Sequence, residues 1–384
     1  MIRKVQITNF KSVADLELDL GRVNVFIGSN GSGKSNILEA ISFASAAEQN
    51  KLDHEFLASR GIRVTEPEFM RSAFETGEGA PVKAPIAIVA VGFDGFSEHY
   101  VLGSVKGPSY PRWVMLNKHP LDKLFAEFLE ELRPTRETLP SITKEFEKFI
   151  EKRKRERPLS DIAKTLPDFM VYAPENQALR TFQAEGQILP LGIRGEGLFA
   201  HLKVLSAGEH RSRLEEIKQQ LEMIEWFETF ELPGELAPGE RSLRIRDRYL
   251  PGDKLFDQRS ANEGFLYLLF YMTLLISPDT PAFFSIDNID NSLNPKLCIE
   301  LLKRISELSI THAKQVILTT HNPAVLDGLN LADDEQRLFV VERNKQGHTR
   351  VRRVEPPRPM PGQAAVSLSE AFMRGYIGGL PKNF

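Results

Sequence analysis

Gly28-Ser29-Asn30-Gly31-Ser32-Gly33-Lys34-Ser35 stands between an apolar run, Val23 to Ile27, and a segment of helical spacing, Asn36-Ile37-Leu38-Glu39-Ala40-Ile41. Strand, glycine-rich loop and helix in that order make G-x-x-x-x-G-K-S a phosphate loop rather than a glycine turn with a chance lysine. Glycines let successive backbone N–H groups curl around phosphates, and the helix N-terminus adds its partial positive charge. Lys34 is expected to reach the β- and γ-phosphates, and Ser35 to offer its hydroxyl to Mg²⁺. Asn30, Gly31, Ser32, Gly33 and Asn36 complete the expected nucleotide-binding stretch. A nucleoside triphosphate is the implied ligand, with ATP and Mg²⁺ as the expected cofactors.

The rest of the composition narrows the class. A chain of 384 residues, 41% hydrophobic and 26% charged, has ample material for a globular core. The formal net charge is −3, so no global basic field attracts nucleic acid and any such surface is local. One cysteine, Cys298, excludes a disulfide framework within the chain and fits a reducing compartment. Met1 leads directly into a strand pattern, Ile2 to Ile7, rather than a signal peptide. The apolar stretch Phe265 to Ile276 is shorter than the roughly 18 residues that a membrane span needs. A cytoplasmic protein without membrane contact is expected.

Along the chain, Ile2 to Ile7, Ala14 to Leu20 and Val23 to Ile27 read as strands, with the turn Asn9-Phe10-Lys11-Ser12 between the first two. Gly77 to Pro85 reads as a loop, and Ile86 to Phe93 with Tyr100 to Val105 as paired strands. Leu121 to Ile162 and residues 208–232 read as charged helical segments. In the second, Leu214, Ile217, Leu221 and Ile224 share a face. The basic run Lys152 to Arg157 is interleaved with glutamates and reads as a solvated helix face. Arg241 to Arg248 alternates Leu243 and Ile245 with Arg244 and Arg246. That arginine-faced strand is the better nucleic-acid candidate, set against a plain surface. Phe169 to Tyr172, Pro281 to Asp287, Gln315 to Thr320 and Leu338 to Glu342 read as further strands, with Thr349 to Val354 as the hairpin partner of the last. Pro356 to Pro361 reads as a stiff linker, followed by a short amphipathic tail helix from Leu368 that serves either its own core or a partner.

The N-F-K-S turn, an acidic amphipathic strand and a loop spelled G-x-N-G-S-G-K-S together resemble the ABC-type ATPases of the RecF/SMC/OLD group. The resemblance implies that Asn9 and Lys11 lie near the nucleotide. It also implies a glutamine-bearing loop beside the metal, for which Gln177 and Gln183 both qualify. Ser260 to Gly264, ahead of a long apolar helix, resembles a degenerate signature motif. By that likeness Ser260, Asn262 and Gly264 touch the γ-phosphate of a nucleotide held by the other subunit, in a head-to-tail homodimer or higher oligomer. Asp287 closes the buried strand that follows and is expected to hold Mg²⁺ through water. The family carries a glutamate next, which polarises the attacking water; here it is Asn288. Asparagine holds a water but cannot take its proton, and losing a general base typically costs about 10²–10⁴-fold. Either hydrolysis is slow and ATP acts as a clamp, or another group substitutes, Asp290 being the nearest carboxylate and Glu263 of a partner copy a further choice. Asn291 to Pro295 occupies the place of the D-loop and also reads as a capped helix start, Asn294 then Pro295. Thr319-Thr320-His321 resembles the switch that places a histidine on the γ-phosphate, which makes His321, with Asn288, a catalytic candidate.

The fold expected is α/β: an ABC-type P-loop ATPase head with a mixed, mainly parallel central sheet, an antiparallel β-subdomain and a helical insertion. Residues 1–50, 165–205 and 255–355 are expected to build the head, and 50–120 a β-subdomain insertion. Residues 121–164 and 206–254 are expected to form a helical or mixed insertion, and 356–384 a C-terminal tail. The sequence as read shows no long heptad arm of the SMC kind, and with about sixty residues past His321 no fused nuclease of the OLD kind is expected. A bare head of this kind implies an ATP-controlled dimer in prokaryotic anti-phage defence, beside a separate effector chain and with double-stranded DNA as a further partner. A RecF-like DNA-repair ATPase and an ATP-holding scaffold are the alternatives.

Overall fold

The computed structural model describes residues 1–73, 84–105, 111–117, 160–181, 190–207, 209–233, 243–252, 254–356 and 366–380. Its centre is a six-stranded sheet in the order β14-β13-β3-β12-β11-β7. The strands are β3 (Val23–Ile27), β7 (Val171–Tyr172), β11 (Phe283–Ile286), β12 (Gln315–Thr320), β13 (Gln336–Arg343) and β14 (Thr349–Val354). All pair in parallel except β14, which returns antiparallel on β13 at the edge. Parallel strands covered on both faces read as continuous apolar runs, and β3, β11 and β12 are buried at every position.

The period of two divides each strand between two cores. Val23, Val25 and Ile27 face one core, where the helices Leu198–Ala207, Arg211–Leu221, Glu263–Ile276 and Pro295–Thr311 pack. Phe26, Ile317 and Phe339 face the other, which holds the phosphate-loop helix Lys34–Glu48. That helix is buried nearly all round because it lies between two sheets. The second sheet is antiparallel, ordered β2-β1-β4-β5-β6. It joins β1 (Ile2–Phe10) and β2 (Val13–Asp19) to β4 (Ile86–Gly92), β5 (Ser97–Val105) and β6 (Arg112–Met115). A third small antiparallel sheet holds β8 (Phe227–Glu231), β9 (Arg244–Asp247) and β10 (Phe256–Asp257).

The helical reading of residues 208–232 is corrected in part. The helix Arg211–Leu221 does bury Leu214, Ile217 and Leu221 on one face. Short i to i+3 bonds, Ile224 N to Leu221 O and Phe227 N to Ile224 O, then unwind it into β8. A bulge between Phe227 and Thr229 lets both Phe227 and Phe230 point inward, which imitates helical spacing in the sequence. The segment after His321 is a 3₁₀ helix, Pro323–Gly328. Within β9 and its approach, Leu243 and Ile245 are buried while Arg244 is exposed and Arg246 half-buried. Residues 74–83, most of Leu121 to Ile162 with its basic run, Gln183 and most of the proline linker lie outside the described residues.

Candidate functional site

The phosphate loop leaves β3 at Gly28 and enters its helix at Lys34. Gly33, the N-cap, has φ 108°, and a Cβ there would fall 2.0 Å from Thr349 Oγ1, so only glycine fits. Lys34 is 5% exposed; its Nζ donates to the carbonyls of Gly28 at 2.7 Å and Ser29 at 3.1 Å, across the mouth of the loop. Burial lowers its pKa to about 8, against which the charges of Asp287 and Asp290 push upward. Ser32 Oγ is buried with no hydrogen-bond partner. An orphaned hydroxyl and a desolvated ammonium within one glycine loop fit an anion with several acceptor oxygens.

Two neighbouring strands complete the constellation. Ser35 Oγ donates to Asp287 Oδ2 at 3.0 Å, and the other carboxylate oxygen accepts from Thr319 Oγ1. Asp287 N donates to Tyr172 O at 2.8 Å, which fixes the end of β11 against β7. A hydroxyl and one carboxylate side by side suit a hard divalent cation that keeps waters and takes its remaining ligands from phosphates. Asn288 follows in the left-handed region, φ 56°, and its N–H donates to Thr319 Oγ1 at 2.9 Å. Ile289 N then donates to Thr319 O at 3.0 Å, and Thr320 Oγ1 donates to Asp290 Oδ1 at 2.7 Å. The 287–290 segment is thus zipped to the end of β12, and Asp290 sits beside the residue that precedes His321. His321 Nδ1 lies 3.5 Å from Lys34 Nζ. Partial burial first and the Lys34 charge second lower its pKa, which favours a neutral ring at pH 7.

Lys34, Ser35, Asp287, Asn288 and His321 therefore converge on the C-terminal edge of the parallel sheet. Asn30 and Gly31 form the exposed tip of the loop. Asn36 Nδ2 instead donates to Ser12 Oγ at 2.6 Å, and Asn36 Oδ1 accepts from Arg63. Asn9, at φ 62°, turns its amide to the carbonyls of Ala84 and Pro85 rather than to the loop. Lys11 pairs with Glu39 of the phosphate-loop helix, which also accepts from Arg63 Nε at 2.5 Å. Gln177 is exposed in the first turn of the helix Asn176–Thr181, just past β7. Ser260 is held by Asp257, and Asn262 caps the helix Glu263–Ile276 through Phe265 N at 2.8 Å. Gly264 packs on the 292–293 turn, where a Cβ would meet Ser292 O at 3.1 Å. Among the described residues, the hydrogen bonds given for this turn run within its own neighbourhood rather than to the phosphate loop of the same chain.

Several contacts at the site carry no sequence signal. Thr319 and Thr320 orient the two aspartates. Thr349 Oγ1 donates to Ser32 O at 3.0 Å and lies 2.7 Å from Ser12 Oγ, so β14 and the β1–β2 turn hold the loop from outside. Arg343 Nε donates to Gly31 O at 2.9 Å. Glu263 accepts from both Asn176 and, at 2.8 Å, Ser292 Oγ, and links the start of the helix Glu263–Ile276 to the 291–294 turn.

Sheet order, phosphate loop and converging aspartate are those of a P-loop ATPase domain. The chain belongs to the family described as "AAA domain, putative AbiEii toxin, Type IV TA system", which matches residues 96–327, more than half of it. Residues 1–75 match a further family, "AAA ATPase domain". Among curated relatives, the DNA replication and repair protein RecF of Lactococcus lactis subsp. cremoris (strain MG1363) is 36% identical over 55 residues. That match covers 14% of this chain and 15% of the relative. RecF of Brucella abortus (strain 2308) is 51% identical over 45 residues, 12% of each chain. A solved SMC head bound to the C-terminal winged-helix domain of ScpA is similar in fold, with a TM-score of 0.53 and 14% identity. The alignment covers 92% of this chain and 98% of that one. Among the described residues, no helix is long and apolar enough to cross a membrane.

Proposed function

We propose that this chain binds ATP with Mg²⁺ and acts as an ATP-gated, head-to-tail dimer in prokaryotic anti-phage defence, with a separate effector chain reading the dimer. The observation that carries the nucleotide part is the junction of Lys34, Ser35 and Asp287 under an orphaned Ser32 hydroxyl. Mg²⁺·ATP supplies the scissile phosphoanhydride and the cation that neutralises it. Lys34 holds phosphate oxygens, Ser35 and Asp287 hold the cation, and His321 contacts the outermost phosphate. Asn288 orients water without accepting its proton, so turnover is slow and the nucleotide works mainly as a clamp. Ser260, Asn262 and Gly264 face the nucleotide of a partner copy, and the Glu263 bonds to Asn176 and Ser292 carry that contact toward the D-loop of the same chain. The defence setting draws on the toxin–antitoxin wording of the matched family. The arginine face of β9 is the candidate contact for double-stranded DNA.

Sedimentation with and without Mg²⁺·ATP tests this reading, in wild type and in Lys34→Ala. A dimer that forms only with nucleotide, and only with Lys34 present, supports it. Monomers at saturating ATP contradict the gating. A fluorescence-labelled duplex in the same cell tests the DNA partner, whose binding is expected to weaken in Arg244→Glu.

A further inference from the structure

We propose that residues 366–380 are a positioning strap for the phosphate loop and the histidine segment, which sets the affinity of the site from the C-terminal end of the chain. This rests on the reading of Gly28–Ser35 as the nucleotide site. Three anchors carry it. At its start, Ser369 donates its N–H to Asp327 Oδ1 at 2.9 Å and its hydroxyl to Asp327 Oδ2 at 2.6 Å. Asp327 belongs to the 3₁₀ helix that follows His321 directly. In the middle, Phe372 of the tail helix Leu368–Met373 is buried in the main core, and Arg352 of β14 donates to Ile377 O.

At its end the strap reaches the loop itself. Gly378 and Gly379 both have positive φ, 76° and 85°. A methyl group built on Gly379 would lie 2.9 Å from Val340 Cγ1, 3.1 Å from Phe372 Cε2 and 3.9 Å from the Cα of Gly28. Glycine is therefore required where the strap passes between the tail helix, β13 and the first residue of the phosphate loop. Gly28 has little room elsewhere, since a Cβ on it would strike Val341 O at 2.1 Å. Its carbonyl accepts from Lys34, whose Nζ lies 3.5 Å from His321 Nδ1. The Gly28 peptide, which holds Lys34 next to His321, thus has the strap on one side and β13 on the other. One ribbon of chain ties the position of Gly28 to the position of Asp327, and so couples the lysine to the histidine.

The test compares Gly379→Val, Asp327→Ala and Asp327→Asn with wild type, with Met373→Ser on the exposed side of the tail helix as control. Amide hydrogen exchange of residues 28–34 and 321–328 is read without nucleotide, and the affinity for a fluorescent ATP analogue with Mg²⁺ is read beside it. Gly379→Val and Asp327→Ala are expected to raise exchange in both segments and to weaken nucleotide binding about tenfold to a hundredfold. Cooperative unfolding is retained. Asp327→Asn keeps an acceptor for the Ser369 amide and is expected to restore most of the affinity, and Met373→Ser to change neither readout. Wild-type exchange in both segments of Gly379→Val and Asp327→Ala, or a loss that follows the unfolded fraction alone, overturns the strap. Wild type that binds the analogue no better than Lys34→Ala overturns the nucleotide reading instead, and the exchange data still decide the strap.

Discussion

Asp287 accepts a hydrogen bond from Ser35 at 3.0 Å, joining the end of β11 to the first turn of the phosphate-loop helix across the width of β12. Thr319, at the end of β12, holds the other carboxylate oxygen. The pair is thus pre-set by strand order before any cation arrives. Asp287→Asn is expected to remove the negative ligand and lower Mg²⁺-dependent ATP turnover about 100-fold or more. Thr319→Val leaves the carboxylate in place but loosens it, so a smaller loss is expected, partly recovered at high Mg²⁺. Steady-state turnover across a Mg²⁺ titration separates the two.

The environment of Lys34 makes nucleotide binding pH-dependent in a defined direction. Burial brings its pKa to about 8 in the free protein. A bound triphosphate favours the ammonium, so the pKa is higher in the complex and binding takes up a proton above pH 8. Affinity is expected to be flat below pH 8 and to fall about tenfold per pH unit above it. Asp290→Asn removes a charge that raises this pKa, and is expected to move the falling limb to lower pH. Lys34→Arg flattens the profile. Equilibrium titrations from pH 6.5 to 9.5 read all three.

Lys314 marks a second buried ammonium, with a structural duty. Its Nζ donates to Ser277 O, Thr280 O and Thr280 Oγ1 at 2.9 Å each, closing the turn between the helix Glu263–Ile276 and β11. Lys314→Met removes these donors from a buried turn, and a loss of about 1–3 kcal/mol is expected in urea unfolding. Burial lowers the pKa of Lys314 to about 8 in the fold, below its ordinary value of 10.5. The unfolded chain therefore binds more protons between those values, so its share of stability rises with pH across that window and is lost as pH falls back through 8. Stability measured at pH 7.5 and 9.5 is expected to differ less in Lys314→Met than in wild type.

Those groups differ in how far the sequence reveals them. The phosphate loop is contiguous, so its glycines, Lys34 and Ser35 are legible in one short stretch. Asp287 and His321 are legible because each ends an apolar run in a fixed order along the chain. Thr319, Thr349, Ser12 and Arg343 are not, because their contacts arise only when β12 and β13 flank β3 and β14 folds back over the loop. Asn9 shows the converse. Its left-handed turn position is visible, yet its amide is spent on the carbonyls of Ala84 and Pro85. The helical reading of 208–232 holds for Arg211–Leu221 and fails beyond it, where the β8 bulge gives Phe227 and Phe230 a helix-like spacing.

Slow turnover of bound ATP is expected because Asn288 stands where a proton acceptor is needed. ATP turnover by wild type, Lys34→Ala, Asn288→Glu and the Lys34→Ala/Asn288→Glu double variant tests it most directly. Slow turnover in wild type, a rise of about 10²-fold or more in Asn288→Glu and none in either Lys34→Ala background is the expected result. Rapid turnover in wild type that Asn288→Glu leaves unchanged would contradict it, and would assign the proton to another group at the site.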